Sequence, residues 1–136
     1  MGKFKKAVIS AIRATVKQGH QSLDATGSNC MLRGCNGDRC TIGFMVADEI
    51  YNKDLEDLTP DDGVLLYAVN KSLGITHVTP PNKEILKILQ DAHDYPRMKS
   101  KHDDFTARYI EKMKFLVESE DLPSWTLEGL TNQKAQ

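Results

Sequence analysis

Apolar residues recur at helical spacing in four stretches of the chain. Over residues 3–18, Phe4, Val8, Ala11, Ile12 and Val16 share one arc at 100° per residue, with Ile9 at its margin. Lys3, Lys6, Ser10, Arg13 and Lys17 take the opposite arc, Lys5 falls on the apolar side, and Gly19 supplies a stop. Thr59-Pro60-Asp61-Asp62 reads as the start of a second helix: Thr59 to cap, Pro60 at the first position, two carboxylates at the positive end of the dipole. Val64, Leu65, Ala68, Val69 and Leu73 form its buried side and Gly74 its end. Two prolines then predict an extended connection from Ile75 to Pro81. Asn82 caps a third helix over 83–95, with Ile85, Leu86, Ile88, Leu89 and Ala92 on one arc, His93 inside it, and Pro96 as the stop. Ser100, with Asp103 three residues on, caps a fourth from about Lys101 to Glu118. Its core face is Phe105, Tyr109, Ile110, Met113, Leu116 and Val117, and Pro123 follows.

Between the first two helices the period changes. Asp24 to Asn29 is loop material, and an Asn36-Gly37 pair sits between two short β-capable runs, Cys30–Arg33 and Arg39–Ile42. This predicts a small β-hairpin near residues 30–42, in one of two registers. A five-residue turn pairs Leu32 with Cys40 and puts Cys30 on their face; a two-residue turn sends Cys30 and Cys40 to opposite faces. Phe44-Met45-Val46 continues into one or two helical turns at Asp48–Tyr51, and 52–58 reads as irregular. The expected fold is mainly α: a compact bundle of about four to five helices with one small hairpin, a single domain over 1–130 and a disordered tail at 131–136.

Composition narrows the class. At 136 residues, 40 % hydrophobic and 27 % charged, the chain suits one soluble domain with a real core. No run approaches the roughly 20 apolar residues of a membrane span, and low-complexity or collagen-like classes are excluded. The start carries neither a secretion-signal pattern, since Arg13 interrupts a short apolar stretch, nor a myristoylation site, since position 6 is Lys. Three cysteines are an odd number, so reduced thiols and a cytoplasmic location are expected. The net charge of −1 hides a cationic first segment: residues 1–23 carry +5 and the rest −6.

Four groups offer chemistry. Cys30-x4-Cys35-x4-Cys40 lacks the tight CxxC pairs of zinc fingers, although thiolates from one hairpin with His20 or His93 would complete a tetrahedron. Small buried or surface thiols are the plainer reading. Cys40 with His93 has the general layout of a cysteine hydrolase or transferase. Against it, neighbours on a helix point about 100° apart, so Asp94 is not expected to orient the His93 ring. Lys3, Lys6, Arg13 and Lys17 form a basic stripe able to meet phosphates, but no aromatic or amide reader shares that face, and a solvated surface explains it as well. Seven acids between Asp48 and Asp62 follow no EF-hand spacing. No phosphate-binding glycine loop, HExxH or G-x-S-x-G is present.

The run Cys30-Met31-Leu32-Arg33-Gly34, Arg39-Cys40-Thr41-Ile42-Gly43 and Asp48-Glu49-Ile50-Tyr51, with Leu89-Gln90-Asp91-Ala92-His93-Asp94 later, resembles a group of small uncharacterised proteins of tailed bacteriophages and prophages. The likeness covers about residues 18–52 and 86–95. Cys35 stands where the group usually has proline or another turn residue, and Ala47 where proline is common, which confines any shared chemistry to Cys30, Cys40 and His93. The resemblance implies a phage-borne accessory protein in the bacterial cytoplasm. The expectation is a non-enzymatic module that binds a host or phage macromolecular complex, as a host-takeover or counter-defence modulator. The alternatives are a thiol enzyme using Cys40 and His93, and a nucleic-acid binder using the basic first helix. No cofactor and no membrane partner are expected; structural zinc on Cys30, Cys40 and His93, and a homo-oligomer through Phe44-Met45-Val46 or Trp125-Leu127-Leu130, stay open.

Overall fold

A computed structural model describes residues 2–76, 80–94 and 105–130. Helix α1 spans Lys3–Gln18, α2 Gly63–Leu73, α3 Pro80–Asp94 and α4 Phe105–Ser119. Short 3-10 turns occupy Cys35–Gly37, Gly43–Met45, Lys53–Leu55 and Ser124–Leu127. The protein is a compact helical one, as its periodicity predicts. α1 lies in the middle, against α2, α4 and two of the 3-10 turns, and α3 packs on α4. Its whole apolar arc is buried, from Phe4 to Val16. Gly19 ends it in the left-handed conformation, φ 79°, donating its N–H to Thr15 O.

The boundaries of the next helices differ from expectation. α2 starts at Gly63 rather than beside Pro60, because Asp62 is the cap: its carboxylate accepts the Val64 N–H at 2.9 Å. Val64, in the first turn, is exposed while Leu65, Ala68 and Val69 are buried. α3 begins at Pro80, not after Asn82, and so replaces part of the expected extended link. Proline suits a first turn, where its missing N–H has no acceptor to meet. Ile88 is also more exposed than its arc suggests. The expected Ser100 cap, the Pro96 stop and the 131–136 tail lie outside the described residues.

The hairpin is not formed: among the described residues there are no strands, only isolated bridges at Leu23–Cys30 and Arg33–Arg39. The chain does reverse there in the five-residue register, with Cys40 N–H donating to Leu32 O and Gly34 N–H to Asp38 O. Asn36 (φ 59°) and Gly37 (φ 79°) make the left-handed turn that an Asn-Gly pair favours. Two competitors stop the ladder from growing. The Leu32 N–H, which would return the bond to Cys40 O, goes to the Glu56 carboxylate at 2.8 Å, and Cys40 O accepts instead from Phe44 N–H as Gly43–Met45 curls into a turn; Glu56 also accepts the outward-facing Arg33 N–H at 3.1 Å. On its other side this segment meets the 22–24 loop through Met31 N–H to Ser22 O and Cys35 N–H to Leu23 O.

Candidate functional site

Most of the residues that carry the motif resemblance have a structural task. Arg33 donates to Val46 O at 2.7 Å, pairs with Asp48 at 2.8 Å and lies over the Tyr51 ring at 4.5 Å. Asp48 also holds Arg39 at 3.0 Å, and the Tyr51 hydroxyl donates to Glu56. Burial first, then the Glu56 carboxylate, push the Tyr51 hydroxyl up to about 12. Gly34 and Gly43 are needed for close approach: a Cβ would lie 2.5 Å from Leu23 O and 2.1 Å from Leu32 O, respectively.

Cys40 is buried with its Sγ accepting the Gly43 N–H at 3.3 Å. Burial pushes its thiol up to about 12, the opposite of an activated nucleophile. Cys30 is half-buried and Cys35 exposed, and no disulfide joins the three. In the five-residue register Cys30, Leu32 and Cys40 all line one cleft of about 350 Å³ beside the segment that follows the Lys53–Leu55 turn and the end of α3. Glu56, Asp57, Asp91 and Asp94 line the same cleft, and among the described residues no lysine or arginine does.

His93 is fully buried at the end of α3. Its Nε2 lies 2.9 Å from the Ser22 amide, which can only donate, so Nε2 accepts and the ring proton sits on Nδ1. That proton faces Asp94 Oδ1 at 2.7 Å. Asp94 therefore orients its neighbour's ring, contrary to the expectation from the 100° helical spacing; Nδ1 is the ring nitrogen nearest the backbone, within reach of a short adjacent side chain. The ring edge meets Phe105 (centroids 5.7 Å, 75°), which stacks on Tyr109. Gln21 closes the arrangement, donating to His93 O at 2.9 Å and reaching Cys30 Sγ at 3.9 Å. Together these contacts fasten the loop after α1 to the end of α3.

Tertiary structure thus regroups the candidates. It places the thiol of Cys30, not that of Cys40, beside the His93–Asp94 pair: ligand atoms of Cys30, His93 and Asp94 lie within 4.8 Å of one another, a set that could hold a metal ion. His20 is elsewhere, paired with Asp38 at 2.9 Å. Sequence pattern alone does not point to Gln21, and the one signal for Asp94 is its place next to His93, which the 100° helical spacing argues against. Of the basic stripe, Arg13 donates to the carbonyls of Trp125, Thr126 and Glu128 at 3.1, 3.1 and 3.3 Å, and Lys3 to Gly74 O at 3.3 Å. Lys6 and Lys17 remain exposed. Lys5, the charge on the apolar side, reaches Glu120 O at 3.2 Å.

Comparison with known protein families, with curated proteins and with solved structures returns no match for this chain. No helix among the described residues is long and apolar enough to cross a membrane.

Proposed function

We propose that the chain is a non-enzymatic accessory protein, phage-borne as its motif implies, that acts in the bacterial cytoplasm by binding a host or phage protein complex. One contrast supports this reading. The candidate nucleophile Cys40 and base His93 are buried, whereas large apolar side chains stand outside the core: Phe115 is 77 % exposed, Tyr67 62 % and Val64 58 %. Covering one such side chain on a partner is worth about 1.5–3 kcal/mol, enough for a few of them to anchor a complex. Phe44-Met45-Val46 supplies the core instead, with Met45 and Val46 buried, as does Leu130.

The nucleic-acid alternative is weaker, because Arg13 and Lys3 already spend donors on backbone carbonyls. The test is affinity capture from bacterial lysate, with and without nuclease, using wild-type protein, Phe115→Ala and Tyr67→Ala. One protein recovered near stoichiometry, insensitive to nuclease and lost with at least one variant, is the expected result. Recovery that collapses with nuclease, or that neither variant changes, overturns the reading.

A further inference from the structure

We propose that Cys30 Sγ and the Asp94 carboxylate, which line the acidic cleft, form with Nδ1 of buried His93 a binding site for a borderline-soft divalent cation of the zinc class. The proposal is independent of the partner-binding reading. Three observations converge on it. Thiol, imidazole and carboxylate are the donor types that such an ion selects, and here they come within 4.8 Å of each other from two separate segments. The cleft that Cys30 and Asp94 line also carries Glu56, Asp57 and Asp91 and, among the described residues, no lysine or arginine, so these carboxylates concentrate cations there. It is also roomy enough, at about 350 Å³, to leave a coordination position for water.

The hydrogen bonds of His93 decide how the ion enters. Nε2 is capped by the Ser22 amide, which leaves Nδ1, now bonded to Asp94 at 2.7 Å. A metal at Nδ1 takes the place of the shared proton, so Asp94 changes from hydrogen-bond acceptor to ligand without leaving the ring. Cys30 releases its thiol proton to solvent, and the neutral ring carries its one proton on Nε2 instead of Nδ1. Two donors then face each other at Ser22, and the Ser22–His93 bond is lost. Binding the ion and clipping the post-α1 loop to α3 are therefore mutually exclusive, and metal loading frees the loop around Ser22. Cys40 is not a ligand, since its sulfur is turned to the Gly43 amide.

The test is titration of the chelator-washed full chain with Co²⁺, reading the thiolate-to-cobalt charge-transfer absorption, followed by displacement with Zn²⁺. One equivalent should give the band in wild type and Cys40→Ser. Cys30→Ser should abolish it and Asp94→Asn weaken it. Amide NMR, read in parallel, should show the Ser22 resonance shifting with the same titration, which keeps the proposal testable if Cys30→Ser fails to fold. A band that is absent at millimolar Co²⁺, or that survives Cys30→Ser and disappears in Cys35→Ser, overturns the site. A Ser22 amide unmoved at full loading overturns the role of His93 as a ligand.

Discussion

Replacing His93 by Phe separates the two hydrogen bonds of the ring from its bulk. The ring is completely buried and sits edge-on to Phe105 at 5.7 Å, so a phenyl of similar size keeps most of the packing. What disappears is the acceptor for the Ser22 amide and the donor to Asp94. Asp94 is partly exposed and can turn to water at little cost. Ser22 is fully buried, and a stranded buried donor costs about 1–3 kcal/mol. The expected loss is thus about 2 kcal/mol, which at a urea m-value of about 1.5 kcal/mol/M lowers the unfolding midpoint by roughly 1 M. His93→Gln, whose side-chain oxygen can reach toward Ser22, should recover part of it. Urea unfolding gives the midpoints, and hydrogen exchange at the Ser22 amide should accelerate in His93→Phe before global unfolding. A His93→Phe midpoint within about 0.2 M of wild type, with Ser22 still protected, would refute the clip.

The remaining predictions concern the thiols and the backbone contacts. At pH 8 iodoacetamide should label exposed Cys35 in the native protein and reach Cys40 only after unfolding; native labelling of Cys40 would contradict its burial. Burial pushes the Cys40 thiol up from its ordinary value to about 12, so its contribution to stability is complete below the ordinary thiol range and is lost as pH rises toward 12. Cys40→Ala should flatten that alkaline decline in a series of unfolding curves. Gly43→Ala should cost about 3 kcal/mol or more, because its Cβ would meet the Leu32 carbonyl at 2.1 Å and Glu56 pins that segment; a melting temperature near wild type would show that the backbone gives way freely. Arg13→Ala should cost only about 1 kcal/mol globally but open the 123–130 segment to limited proteolysis, since one guanidinium holds three of its carbonyls. Unchanged protease resistance there would dismiss that role.

What the sequence determined by itself follows from short-range physics. Four apolar stretches at helical spacing yield four helices, and the glycines at 19 and 74 end α1 and α2 in the left-handed conformation. Asn36-Gly37 makes its turn because the needed φ values are local properties of those residues. Even the cysteine arrangement was legible as one of two registers. Helix starts were less so, because several residues near Thr59 and Asn82 can cap or begin a turn equally well, and packing selects among them.

Tertiary structure decided the rest, since it rested on partners distant in the chain. The hairpin fails to extend because Glu56, more than 20 residues on, takes the Leu32 amide that would have paired with Cys40 O. The basic stripe loses Arg13 to carbonyls over 110 residues away. The pairing of a thiol with His93 moves from Cys40 to Cys30 because Cys40 turns inward to Gly43 while Gln21 and the Ser22 amide bring the Cys30 side of the loop to the end of α3. Periodicity records which face of an element is apolar; which polar atoms meet across the fold is set only when those faces pack.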